Sequence, residues 1–108
     1  MIQIDDRLRE LIVSRIVSVA QPEKIILFGS RGRGIARPDS DIDLLVIARS
    51  DQPRYRRAAP IYGALSDILA AMDIVVYSPQ EVQEWSGVPQ AFVTTAVRQG
   101  TVLYENQG

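Results

Sequence analysis

The sequence predicts an α/β fold in which a small mixed β-sheet packs against helices, and three observations predict it. Apolar residues recur at helical spacing at Leu8, Leu11, Ile12, Ile16 and Val19, and again at Ile61, Leu65, Ile68, Leu69 and Met72. Three short β-rich runs stand apart from them: KIILFG from Lys24 to Gly29, DIDLLVIA from Asp41 to Ala48, and DIVVYS from Asp73 to Ser78. The two kinds of segment alternate along the chain, which is the pattern of layered helices and sheet. At 108 residues the chain is the size of one domain, expected to span 1–108 around a single core.

Taken in order, the first element is an amphipathic helix from about Asp5 to Ala20, with Asp5 and Asp6 at the favourable positive end of its dipole. Pro22 ends it, and KIILFG follows as a buried strand closed by glycine. The stretch SRGRGIARPDS then holds too many breakers for a long regular element, with room for one helical turn at Ser30 to Gly34. DIDLLVIA is the second strand. From Arg54 to Met72 the spacing predicts one helix, interrupted or begun at Pro60, because a proline inside a helix costs about 3 kcal/mol. DIVVYS is the third strand. Pro79 opens a short helix over PQEVQEW. A last helix, about Pro89 to Gln99, ends at Gly100, where a left-handed cap would stand, before a brief TVLYE.

Composition narrows the chemistry. The chain has no cysteine and no histidine, so disulfides, thiolate sites and the commonest general base are all excluded, and any metal must be held by oxygen. A net charge of −1 gives no global attraction to nucleic acid or anionic lipid, and no direct nucleic-acid contact or membrane contact is expected. No apolar run approaches the roughly 20 residues that cross a bilayer, and the first ten residues are acidic and amphipathic; a cytoplasmic protein is expected. Eleven of the twelve basic residues are arginine, whose planar guanidinium fits phosphate oxygens.

Chemistry concentrates between the first two strands. Asp41 and Asp43, two apart on a strand, project from one face with Cα atoms about 6 to 7 Å apart. Such a pair suits a hard divalent cation, Mg²⁺ above all, completed by water and phosphate oxygens. Alone, an Asp-x-Asp is more often turn chemistry. Gly29 and Ser30 strengthen the functional reading, because a glycine at the end of a buried strand lets backbone approach a ligand, and a short helix after it aims free N–H groups at an anion. The spacing of Gly29, Gly32 and Gly34 matches neither the dinucleotide fingerprint nor the P-loop. Arg31, Arg33 and Arg37 either pair with phosphate or make exposed salt bridges. Elsewhere, Trp85 reads as core or interface packing, Tyr55 and Tyr62 as helix packing, and RYRR at Arg54 to Arg57 as a solvated basic patch.

Gly29-Ser30, a spacer of nine residues, then Ser40-Asp41-Ile42-Asp43-Leu44 resembles the signature of the DNA polymerase beta-like nucleotidyltransferase superfamily, and the small size is similar to its minimal nucleotidyltransferase branch. The resemblance covers most of the chain, including the closing GTVLYE. It implies that fold, and a third carboxylate at the start of the next strand, where Asp73 stands. It further implies that Asp41, Asp43 and Asp73 are the catalytic, metal-holding set for two Mg²⁺ ions, with Gly29, Ser30, Arg31 and Ser40 binding the nucleoside triphosphate. Two metals held this way clamp the attacking and leaving oxygens of an in-line phosphoryl displacement.

The expected activity is therefore transfer of a nucleoside monophosphate, AMP from ATP, to a hydroxyl, with release of pyrophosphate. The same resemblance implies a biological setting, since minimal nucleotidyltransferases commonly act as the antitoxin of a HEPN-type ribonuclease toxin and modify a tyrosine on it. A homodimer or a hetero-oligomer fits that setting. Two rivals are a small-molecule nucleotidyltransferase, for which the chain leaves little space to form an acceptor site, and a non-catalytic module that neutralises its partner by contact.

Overall fold

A computed structural model describes residues 6–28, 42–68, 70–88 and 91–106. The elements are α1 (Asp6–Ala20), β1 (Lys24–Phe28), β2 (Ile42–Ile47), α2 (Arg54–Arg57), α3 (Ala59–Ala64), β3 (Met72–Tyr77), α4 (Pro79–Trp85), α5 (Phe92–Gln99) and β4 (Thr101–Glu105). The strands form one mixed sheet in the order β3-β2-β1-β4. β1 runs antiparallel to both β2 and β4, whereas β2 and β3 are parallel. A parallel pair needs a crossover rather than a hairpin, and α2 and α3 lie within it.

Strand alternation divides the core into two layers. Ile25 and Leu27 of β1, Ile42, Leu44 and Val46 of β2, and Ile74 and Val76 of β3 pack with Ile12 and Ile16 of α1 and Ile61 of α3. On the opposite face Ile26, Leu45 and Ile47 pack with Val93 and Ala96 of α5. Both faces of the central strands are thus covered, which is why KIILF and IDLLVI read as almost continuous apolar runs. Ion pairs brace elements within a layer: Arg15 of α1 pairs with Asp67 and donates to the Ala64 carbonyl at the end of α3, and Lys24 of β1 meets Glu105 of β4 at 2.9 Å.

Each predicted helix and strand has a counterpart among the described residues, with four corrections; the turn expected at Ser30 to Gly34 lies outside them. The segment from Arg54 to Met72 is two short helices rather than one; Ala58 separates them, and Pro60 sits in the first turn of α3, where its missing N–H costs nothing. The left-handed residue at a helix end is Gln21, with φ 46, whereas Gly100 is extended at φ −79 and ψ 171. Gly100 is required for space instead: a Cβ there would meet Ile26 Cγ2 at 2.4 Å and the Ala96 carbonyl oxygen at 2.6 Å. Tyr55, read as helix packing, is 80% exposed and does not pack into the core; Trp85 is 44% exposed, which removes the core half of its core-or-interface reading and leaves the other half standing. The basic patch is not simply solvated: Arg57 and Arg54 reach Glu81 at 2.6 and 3.1 Å, and Arg54 lies over the Tyr77 ring.

Candidate functional site

β1 ends, and β2 and β3 begin, at one end of the sheet. Two carboxylates stand there. Asp43 of β2 pairs in register with Asp73 of β3, and on its other side Asp43 pairs with Phe28 of β1. Register partners on adjacent strands share a face and lie about 5 Å apart between Cα atoms. Alternation sets Asp43 on the face of Leu45 and Ile47, beyond the apolar pairs that α5 covers. Asp73 is exposed and Asp43 half-buried, so the pair lies at the margin of the core, where water and a ligand can reach it.

Backbone contacts fix this corner. Ile42 N–H donates to the Ala71 carbonyl at 2.9 Å, tying the start of β2 to the residue before β3. On the outer edge of β3, Ile74 N–H donates to the Tyr62 hydroxyl at 2.8 Å. Phe28 and Ile42, which flank 29–41, both stand at this end of the sheet. The predicted residues Gly29, Ser30, Arg31, Ser40 and Asp41, with Arg33 and Arg37, lie outside the described residues. Among the described residues no three acidic side chains come together. The donor set fits a hard divalent cation, since Asp43 and Asp73 offer oxygen alone from one face.

Sequence reasoning missed a second polar cluster, at the opposite end of the parallel pair. Ser78 caps α4 in a reciprocal capping box: Glu81 N–H donates to the Ser78 hydroxyl at 3.1 Å and Ser78 N–H to the Glu81 carboxylate at 2.8 Å. Burial alone raises the Glu81 pKa, but Ser78 N–H, Arg57 and Arg54 outweigh it and bring the value from 4.5 down to about 2. The signal was legible in S-P-Q-E, a capping box ahead of Val82, although nothing local names the arginine partners. A depression of about 700 Å³ opens beside this cluster, lined by Arg49, Ser50, Ser78 and Gln83 among others. Its half-buried charges, Arg57 and Glu81, pair with each other at 2.6 Å.

A family model, polymerase beta nucleotidyltransferase, matches residues 10–108. The chain belongs to that family. Solved structures agree on the fold. One chain of a toxin–antitoxin complex with AMP-PNP superposes with a TM-score of 0.59 at 25% identity, covering 92% of this chain and 74% of that one. A structure from Sulfolobus solfataricus assigned to the nucleotidyltransferases gives 0.65 at 21% identity, over 94% and 83% of the two chains. A chain of the toxin–antitoxin complex MntA–HpeT, carrying two aspartate-to-glutamate substitutions, gives 0.57 at 22%, over 92% and 74%. No curated protein sequence matches significantly. No helix among the described residues of this polymerase beta nucleotidyltransferase is long and apolar enough to cross a membrane.

Proposed function

We propose that this polymerase beta nucleotidyltransferase transfers AMP from ATP to a tyrosine hydroxyl of a HEPN-type ribonuclease toxin and so acts as its antitoxin. The observation that carries the reading is the register of Asp43 with Asp73 on one face of a family-matched sheet. Asp43 and Asp73, with Asp41, would hold two Mg²⁺ ions; when bound, the metal supplies charge neutralisation for the phosphoryl oxygens and favours the deprotonated acceptor. Gly29, Ser30, Arg31 and Ser40 bind the triphosphate in this reading, and Asp73, on the exposed edge strand, faces the incoming acceptor hydroxyl. The acceptor oxygen attacks the α-phosphorus, the bond to the bridging oxygen breaks, pyrophosphate leaves, and the hydroxyl proton passes to a carboxylate.

Support for a toxin partner comes from the toxin–antitoxin neighbours, and support for an adenine nucleotide from the AMP-PNP in one of them. The test is direct. The protein is incubated with ATP, Mg²⁺ and the product of the neighbouring gene, and that product is analysed by mass spectrometry. An added AMP that maps to tyrosine, lost with Asp43→Asn, is the expected result. An unmodified partner that is nonetheless inhibited, with full inhibition by Asp43→Asn, would establish neutralisation by contact instead.

A further inference from the structure

The edge of β3 beside Asp73 is held from both sides, and the outer hold is a side chain. On the inner side, Ile42 N–H bonds the Ala71 carbonyl and Asp73 pairs with Asp43. On the outer side β3 has no strand beside it among the described residues, and its Ile74 N–H, left without a ladder partner there, donates to the Tyr62 hydroxyl 2.8 Å away. An edge strand with open N–H groups frays or recruits a foreign strand. Tyr62 is 42% exposed, so its ring is not fixed by deep burial. Its helix is fixed nonetheless: Ile61 beside it is buried in the core, and the Ala64 carbonyl accepts from Arg15 of α1. The phenol oxygen is thus a rigid acceptor fastened to the helical layer, one residue from Asp73.

We infer that Tyr62 is a positioning residue for Asp73: by holding Ile74 N–H it fixes the first turn of strand that aims the carboxylate at the acceptor side of the site. The inference rests on the nucleotidyl-transfer reading above. A carboxylate on an untethered edge strand shifts by fractions of an ångström, and a displacement of about 1 Å can cost a hundredfold in rate. Triphosphate binding is assigned in that reading to Gly29, Ser30, Arg31 and Ser40, none of which belongs to α3 or β3, the two elements that the Tyr62 hydrogen bond joins. The effect is therefore on turnover and not on ATP affinity.

The experiment compares wild type, Tyr62→Phe and, as a control on the exposed face of α2, Tyr55→Phe. Hydrogen exchange is followed at the Asp73 and Ile74 amides, and AMP transfer is measured as a function of ATP and Mg²⁺ concentration. Tyr62→Phe is expected to raise exchange at Ile74 about fivefold to tenfold, the loss of one hydrogen bond. It lowers kcat by about tenfold, leaves KM for ATP unchanged, and raises the Mg²⁺ concentration for half-maximal rate, while Tyr55→Phe behaves as wild type. Unchanged exchange at Ile74, an unchanged kcat, or a loss appearing only in KM for ATP overturns the positioning role. Wild-type protein that transfers no nucleotide to any partner overturns the functional reading and this inference with it, whereas active wild type with an unaffected Tyr62→Phe overturns this inference alone.

Discussion

Asp43 stands in register with Asp73 across the parallel strands β2 and β3, so two carboxylates far apart in the chain share one face at one end of the sheet. Like charges side by side on neighbouring strands repel. Asp73 is exposed and Asp43 sits where the apolar cover of the sheet has ended.

Substituting either acid separates function from folding. Asp73→Asn and Asp43→Asn are each expected to lower AMP transfer by at least about a hundredfold, the scale of a lost proton-handling or metal-holding group. Thermal unfolding should change by less than about 0.5 kcal/mol for Asp73→Asn, because the residue is exposed. Transfer assays and melting curves on the same preparations check both.

Gly100 links α5 to β4 where no side chain fits. A Cβ would lie 2.4 Å from Ile26 Cγ2, 2.6 Å from the Ala96 carbonyl oxygen and 2.9 Å from the Leu27 carbonyl oxygen. Two of those three neighbours are backbone. Gly100→Ala should therefore destabilise by about 1–3 kcal/mol, read as a lower urea midpoint with an unchanged slope.

Glu81 governs acid stability at the other end of the sheet. Its folded pKa, about 2, lies below the ordinary 4.5, so the native state favours the carboxylate. The resulting stabilisation is fully present above about pH 4.5 and is lost as pH falls from there through about 2. Glu81→Gln should cost about 1–3 kcal/mol at neutral pH, with the gap from wild type closing as the pH approaches 2. Urea unfolding across the acid range measures that convergence.

Thr94 fastens α5 to the end of α4. It is 6% exposed and donates its hydroxyl proton to the Trp85 carbonyl at 2.7 Å. Thr94→Val keeps the shape and removes the donor, leaving a carbonyl without this partner; a loss of about 1–2 kcal/mol is expected in chemical denaturation.

Much of the fold was legible in local pattern. The apolar runs of β1 and β2 announced strands and Pro79 announced the start of α4, whereas the capping box in S-P-Q-E, equally local, was overlooked. The error over 54–72 had a local cause as well: Ile61 and Leu65 keep helical spacing across the end of α3, and periodicity does not see that the chain must turn back to enter β3 beside β2. RYRR looked like a solvated patch because charge runs usually are, and the acid that engages it is supplied by α4 from across the fold.

By itself the sequence determined the alternation of helix and strand, the absence of histidine and cysteine that leaves oxygen as the metal donor, and the Gly29-Ser30 and Asp41-x-Asp43 spacing that carries the family resemblance. These depend on neighbours within a turn or a strand. Only the tertiary structure decided that Asp73 lies opposite Asp43, that Tyr62 closes the edge beside it, and that Gly100 is needed for space rather than for a left-handed cap. Strand register is set by the joint burial of both sheet faces, and a slip of one residue would turn every side chain to the other side. That cooperative choice, made by Ile74 and Val76 packing under α1 and α3, is what sets Asp73 on the face of Asp43.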